Sequence, residues 1–566
     1  PASVAAMRAF VTEPFRLEEQ LPFRAGVSCR DGVPTLLTIV GHHASMDDWS
    51  IEALKRESAE IHAAIVAGRA ITLAPVRQQP VDLARRESAP DAQAANRRAL
   101  GIWARELARV PADLFGPRRD PAAADGTPFS VSLSSPAALV AARTLAAGHR
   151  VWPSSVYLAT LTALLAGYTG SGSVPVLVYQ GNRDSAVHAG TLTCLFLPVL
   201  VHVDCQGDPS FTDLVRRTDE RAREAADNSY FAYDQAVEIT ARQAAARGMG
   251  LRLGTVVNQL RYPYLVRGGQ RTIVTRNQRP DSWSLLPEDV YLRLSEWKDC
   301  LVLTLNARPE VISPADGERL LRGFEALLLG QAAAGAPVHC SQVAALAGFT
   351  PRPVATTRRA VVGTSLVDLD RTGAELAGHP AVALARAAAD ERPTCGSPLS
   401  GHLPPPVPAP SEALLRAHLL ARSYTEPMVA CPERLVICAE PPAEPDQADS
   451  WAAQPRATRP APVPAAPTAA ELALLDAVRT ANQLTDLCLT DGYVPAGGRV
   501  MNLPNVLRHL HAAGWSGPPL DEVASGRPLA AIAGRLVRHA PDDETAPETA
   551  HATPQEPRTT ATSAHS

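Results

Sequence analysis

Lysine is nearly absent from this chain: Lys55 and Lys298 are the only two in 566 residues. Any chemistry that needs a lysine beyond Lys298 is therefore excluded. Arginine is abundant, yet the formal net charge is −4, which gives no electrostatic case for nucleic acid as a partner. No apolar run reaches the roughly 18 residues of a membrane span, so no membrane partner is read. The opening residues show no basic stretch followed by an apolar one, so no signal peptide is read. The nine cysteines are scattered and form no CxxC pair. That pattern argues against a metal site and for a reducing, cytoplasmic setting. With 46% hydrophobic and 20% charged residues, the chain can bury cores, and its length suits three or four domains.

The most informative stretch is His42-His43-Ala44-Ser45-Met46-Asp47. An apolar run, Thr35 to Val40, precedes it and reads as a strand. Helical spacing follows from Ile51 to Val66, through Ile51, Leu54, Ile61 and Ile65. Ser50 is the expected N-cap of that helix. Strand, His-His-x-x-x-Asp, helix is a layout that presents an imidazole at a strand end. Such an imidazole can take a proton from an attacking amine or hydroxyl near neutral pH. The carboxylate of Asp47 can hold the turn through an ion pair.

Read with Asp48, Trp49 and Ser50, the segment resembles the HHxxxDGWS motif of condensation domains from nonribosomal peptide synthetases, members of the chloramphenicol acetyltransferase-like superfamily. Asp48 stands where the family has glycine, placing a charge beside the expected thioester. Further fragments follow the family order. Pro14-Phe15-Arg16-Leu17-Glu18 resembles the approach to the motif. Val151 to Gly170 resembles a buried helix ending in a turn. Val174 to Arg183 resembles a strand and a loop ending in arginine. Leu195 to Asp204 resembles another strand, with Leu197 near the place of a family asparagine. Asp208 to Leu214 resembles a helix entry. Ala94 to Leu107 reads as a helix, Val290 to Leu305 alternates like a strand, and Pro314 to Leu329 reads as a closing helix. The resemblance implies an α/β, two-lobed fold over residues 1–342. The family has about a hundred residues before the motif, whereas this chain has 41. The first lobe is thus expected to be short, with its opening strands missing or supplied elsewhere, and a start at Pro1 suggests truncation.

A linker is expected over 343–360. Val367-Asp368-Leu369 through Val382, with Leu414 to Arg422, then resembles the small C-terminal subdomain of adenylation domains, giving an α+β unit over 361–450. Gln447 falls on the position of that family's catalytic lysine, and glutamine supplies no positive charge. After a second linker, 451–467, Tyr493 to Met501 resembles a carrier-protein motif within a small helical bundle over 468–538. Val500 occupies the place of the serine that accepts phosphopantetheine, and it has no hydroxyl to modify. Residues 539–566 read as a disordered tail.

The resemblance implies that amide-bond formation joins two carrier-bound thioesters. His43 would act on the amine, with His42 and Asp47 structural. Asp48, Trp49 and Ser50 would line the substrate tunnel, and Asn182 and Arg183 would brace the second lobe. The arginine partner of Asp47 is expected upstream, in the part this chain lacks. The partners would be donor and acceptor carrier proteins or other synthetase modules. These would bring phosphopantetheine, and no cofactor would be bound covalently here. Two alternatives stay open. One is a freestanding CoA- or carrier-dependent acyltransferase with a hydroxyl acceptor. The other is an inactive synthetase fragment serving as a docking scaffold, which Asp48, Gln447 and Val500 favour.

Overall fold

The computed structural model describes residues 2–17, 19–76, 78–124, 126–183, 190–265, 271–277, 288–333, 336–352, 356–389, 399–403, 410–445, 447–455 and 466–539. Helix α1 (Ala2–Thr12) leads into an antiparallel hairpin, β1 (Phe23–Arg30) and β2 (Val33–Gly41). Asp31 and Gly32 join the two strands, both with positive φ, 53° and 77°. An Asp-Gly pair suits this tight turn because glycine has no Cβ to clash and aspartate tolerates the left-handed region. Helices α2 (Asp48–Val66), α3 (Pro80–Glu87) and α4 (Pro90–Leu107) follow. The N-cap of α2 is Asp47, whose side chain accepts from the Ser50 backbone N–H. Ser50, the expected cap, instead lies inside the helix, because an aspartate three residues earlier already satisfies that amide.

The centre is a seven-stranded mixed sheet in the order β5-β4-β6-β8-β9-β3-β7. Its strands are β3 (Phe129–Ser135), β4 (Ser173–Gln180), β5 (Leu197–Asp204), β6 (Thr255–Arg261), β7 (Ile273–Asn277), β8 (Val290–Glu296) and β9 (Leu301–Ala307). Strands β4, β6 and β8 run parallel, and the other pairs are antiparallel. The stretch read as one alternating strand from Val290 to Leu305 is two strands, β8 and β9. The turn between them is closed by Trp297 N–H on the Cys300 carbonyl, 2.9 Å.

Helices α5 (Pro136–His149), α6 (Pro153–Thr169), α7 (Phe211–Asp227), α8 (Tyr233–Arg247), α9 (Pro314–Ala332) and α10 (Cys340–Ala347) complete this half. Helix α6 is buried along nearly its whole length, as expected of a helix apolar on every face. Leu133, Leu164, Leu303 and Phe324 form part of one continuous core. Helix α10 occupies the first residues of the segment expected to be a linker.

Beyond it lie a two-stranded sheet, β10 (Arg359–Val362) with β11 (Ser365–Asp368), and a three-stranded one, β12 (Arg386–Ala389), β13 (Leu399–Leu403) and β14 (Arg434–Ile437). Helices α11 (Leu369–Ala377), α12 (Glu412–Ser423) and α13 (Ala448–Ala452) accompany them. The Ser365 hydroxyl ties this part to the large sheet's surroundings, accepting from Ala112 N–H at 2.9 Å and from Arg247 at 2.8 Å. The last helices are α14 (Ala469–Asn482), α15 (Leu503–Ala512), α16 (Leu520–Ala524) and α17 (Leu529–Ala533), with a short antiparallel pair, β15 (Trp515–Ser516) and β16 (Val537–Arg538). They share a core into which α8 contributes Ala241. Of residues 539–566, read as a disordered tail, His539 is described, its N–H on the Gly514 carbonyl at 2.9 Å, and 540–566 lie outside the described residues.

Candidate active site

Strand β2 delivers the histidine turn. Gly41 ends the strand, and a Cβ there would fall 2.6 Å from Met46 Sδ, so a larger residue would require the Met46 side chain to move. Ser45 Oγ reaches the His42 carbonyl at 2.9 Å. The half-buried His42 accepts from Ala44 N–H through Nδ1, 3.1 Å, and meets the edge of Phe15. Its ring therefore serves the turn.

His43 is exposed. Its Nδ1 lies 2.8 Å from the Met46 carbonyl oxygen. A carbonyl can only accept, so Nδ1 carries the proton and donates it. In the neutral ring that leaves the lone pair on Nε2, the form that can act as a base. The Phe196 ring packs on the imidazole at 5.1 Å between centroids. Phe196 in turn meets Tyr179 at 4.8 Å, and Tyr179 meets Tyr291 at 6.4 Å. An aromatic wall thus runs from His43 across β4 and β8.

Asp47 is almost fully enclosed, 3% exposed. Its partner is Arg183. Nη2 of Arg183 donates to Oδ1 at 2.7 Å and Oδ2 at 2.8 Å, and Nε donates to Oδ2 at 3.1 Å. This corrects the expectation of an upstream arginine: the cation comes from 136 residues downstream. Ser50 N–H, 2.9 Å, and Leu195 N–H, 3.2 Å, also donate to the carboxylate. Burial alone would raise the Asp47 pKa. The hydrogen bonds from Arg183, Ser50 and Leu195, with the guanidinium charge, outweigh it and hold the carboxyl below its ordinary value.

Arg183 spends further N–H groups on the Thr191 carbonyl, 2.8 Å, and the Thr193 carbonyl, 2.7 Å. The Ser50 hydroxyl lies 2.9 Å from that same Thr193 carbonyl. The clamp therefore fastens three segments: the histidine turn, the loop after β4, and the chain entering β5. Asn182, at φ 51°, donates to the Leu195 carbonyl at 2.9 Å and accepts from Ser229 at 2.6 Å. Asp48 is exposed in the first turn of α2, where a carboxylate suits the helix N-terminus. Trp49 is 58% exposed, and its indole N–H edge lies against Gly181.

His43, Asp47, Ser50, Asn182 and Arg183 thus come together around one turn. Phe196, Tyr179, Tyr291 and the 191–195 segment were not read from the sequence. Nothing in their local pattern separates them from core strand residues. Among the described residues, no group of three or more His, Cys, Asp and Glu side chains converges as a metal site. Nor is any described helix long and apolar enough to cross a membrane.

Residues 2–260 match the condensation-domain family model. The matched stretch contains the histidine turn, its clamp and most of the large sheet. The chain is 30% identical over 234 residues to an isonitrile lipopeptide synthase of Mycobacterium tuberculosis, covering 40% of this chain and 9% of that protein. It is 29% identical over 238 residues to a dimodular nonribosomal peptide synthase of Bacillus subtilis, covering 40% of this chain and 10% of that one. The chain therefore spans about a tenth of the length of these relatives. Among solved structures, the X-domain from teicoplanin biosynthesis in complex with OxyB is similar at 19% identity and a TM-score of 0.47, covering 60% of this chain and 77% of that one.

Proposed function

We propose that the condensation region forms an amide bond between two carrier-bound thioesters as a component of a nonribosomal peptide synthetase. The observation that carries this reading is the free Nε2 of His43, fixed by the Met46 carbonyl, in a region that matches the condensation model. In the step, the acceptor amine attacks the donor thioester carbonyl. A C–N bond forms and the C–S bond breaks. His43 takes a proton from the attacking nitrogen, and the departing thiolate ends as a thiol. General-base help of this kind contributes about 10²- to 10⁴-fold, and holding two tethered substrates together supplies much of the rest. Asp47 and Arg183 position the turn and touch no substrate. The phosphopantetheine arms belong to partner carriers.

We read the segments beyond the condensation region as an adenylation-type C-terminal subdomain without its lysine and a carrier-type bundle without its serine. The Val500 backbone N–H supports an architectural use of that bundle, since it is held by Glu238 of α8 at 3.1 Å.

The test mixes the purified chain with separately loaded donor and acceptor carriers and reads the products by intact-protein mass spectrometry. Transfer that disappears in His43→Ala supports the reading. A folded chain that transfers nothing would leave the docking-scaffold alternative in its place.

A further inference from the structure

The large sheet carries a cleft on the face turned away from His43. Successive residues of β8 point to opposite faces. Tyr291 belongs to the aromatic wall, so Leu294 and Glu296 lie on the other face, against α5 and α6. There a cleft of about 520 Å³ opens between the end of α5, the start of α6 and the ends of β6 and β8. Pockets for small molecules run from about 300 to 1,000 Å³. The buried Ala146, Leu294 and Leu301 line it, together with Val151 and the exposed Trp152. Arg261 and Glu296, paired in register where the two parallel strands end, line it too.

Glu296 supplies the one carboxylate of the lining, and both of its oxygens are taken. Oε1 accepts from Arg143 Nη2 at 2.8 Å, and Oε2 accepts from the Tyr157 hydroxyl at 3.1 Å. Arg143 gives a further N–H to the Lys298 carbonyl at 3.4 Å. Arg261 is the surplus cation. Among the described residues its guanidinium meets a carboxylate only through Nε, 3.8 Å from Glu296 Oε1 and beyond hydrogen-bond distance. Its side chain is 79% exposed. Two guanidinium groups on one carboxylate leave the cleft net positive. An uncommitted guanidinium recognises a carboxylate through paired N–H donors. A cation in the same place would have to compete with Arg143 for Glu296. The apolar lining and the Trp152 indole suit an aromatic body.

We propose that this cleft binds a small organic anion, an aromatic carboxylic acid, with its carboxylate on Arg261 and its ring beside Trp152. The site lies across the sheet from His43 and does not depend on the condensation reading. Calorimetry on the full chain compares cinnamate with cinnamamide, which keeps the ring and loses the charge. A charge-assisted hydrogen bond is worth roughly tenfold or more in affinity. Wild type should bind cinnamate with a Kd below about 1 mM and favour it over the amide by at least about tenfold. Arg261→Gln should bring that ratio close to one with the thermal midpoint unchanged, because the side chain is largely exposed. Ala147→Trp, at an exposed position in the lining, fills the cleft and should abolish binding of both. No binding of cinnamate by wild type, or equal binding of acid and amide, overturns the proposal. So does a preference that survives in Arg261→Gln, or cinnamate binding that survives in Ala147→Trp.

Discussion

The hairpin that delivers the histidines and the large sheet it faces are built in opposite ways. In the hairpin, Val27, Leu36 and Leu37 are about half exposed, at 58%, 47% and 51%. In the sheet, Leu133, Leu292, Leu303 and Leu305 are fully enclosed. A two-stranded ribbon with open faces has little stability of its own. The histidine turn therefore does not take its geometry from a local core. It takes it from the Asp47–Arg183 clamp, whose cation is supplied by the well-packed half. The placing of His43 and the packing density are thus separated, and each can be disturbed without the other.

The largest effect tests the catalytic side of that separation. His43→Ala should lower the condensation rate by about 10²- to 10⁴-fold. His43 is exposed, so the thermal unfolding midpoint should stay within about a degree. A rate unchanged in steady-state transfer assays would remove His43 from the mechanism. A collapse in stability would show that the exposed turn is structural after all.

Breaking the clamp should cost both. Arg183→Ala leaves the Asp47 carboxylate buried without its cation, and such a loss typically destabilises by about 3–5 kcal/mol. The double variant with Asp47→Ala should be less harmful than the sum of the singles, because no orphan charge remains. Urea unfolding of the four proteins measures the coupling. Leu303→Ala in the sheet should cost a similar 2–5 kcal/mol through a cavity, yet it should leave the rate per folded molecule near wild type. If both variants lose activity only in proportion to folded protein, the clamp does no positioning.

Acid sharpens the comparison within the packed half. Glu106 is 3% exposed. Burial would raise its pKa, but His202 at 3.0 Å and Arg105 at 2.8 Å bring it down from 4.5 to about 2. Arg109, at 3.7 Å, and Arg221, at 3.9 Å, also face it. A carboxyl lowered on folding stabilises fully above its unfolded pKa, and that stabilisation is lost as pH falls through the folded value. The contribution is about 3 kcal/mol near neutrality. Wild type should therefore lose its advantage over Glu106→Gln between about pH 4.5 and 2. A stability difference that stays constant over that range in urea titrations would contradict the assignment.

Much of this was legible in the sequence, and the failures have physical causes. The His-His-x-x-x-Asp spacing and the strand before it follow from short-range pattern, while the buried α6 was read through the family resemblance. The break between β8 and β9 left one trace, a shift of the buried apolar positions from even (Val290, Leu292, Leu294) to odd (Leu301, Leu303, Leu305) across the Trp297–Cys300 turn, which reading the stretch as one strand overlooks. Ser50 was misread as a cap because it precedes the apolar spacing, while the residue that bonds its amide lies one turn earlier. The resemblance put the partner of Asp47 upstream, and a pair 136 residues apart leaves no local trace that could have corrected it. The aromatic wall carried no signal, because tyrosines on apolar strands look like any other core.

The smallest effect is the most direct check on the hairpin. If its outer surface contributes little, Leu36→Ser and Leu37→Ser, at positions about half exposed, should each change stability by no more than about 0.5 kcal/mol. Transfer rates should also hold, because the clamp and not the ribbon's surface fixes His43. A loss of 2 kcal/mol or more in urea unfolding would mean that these leucines are covered in solution. The contrast between a thin, open hairpin and a dense sheet would then fail, and the missing cover would have to come from another copy or another chain.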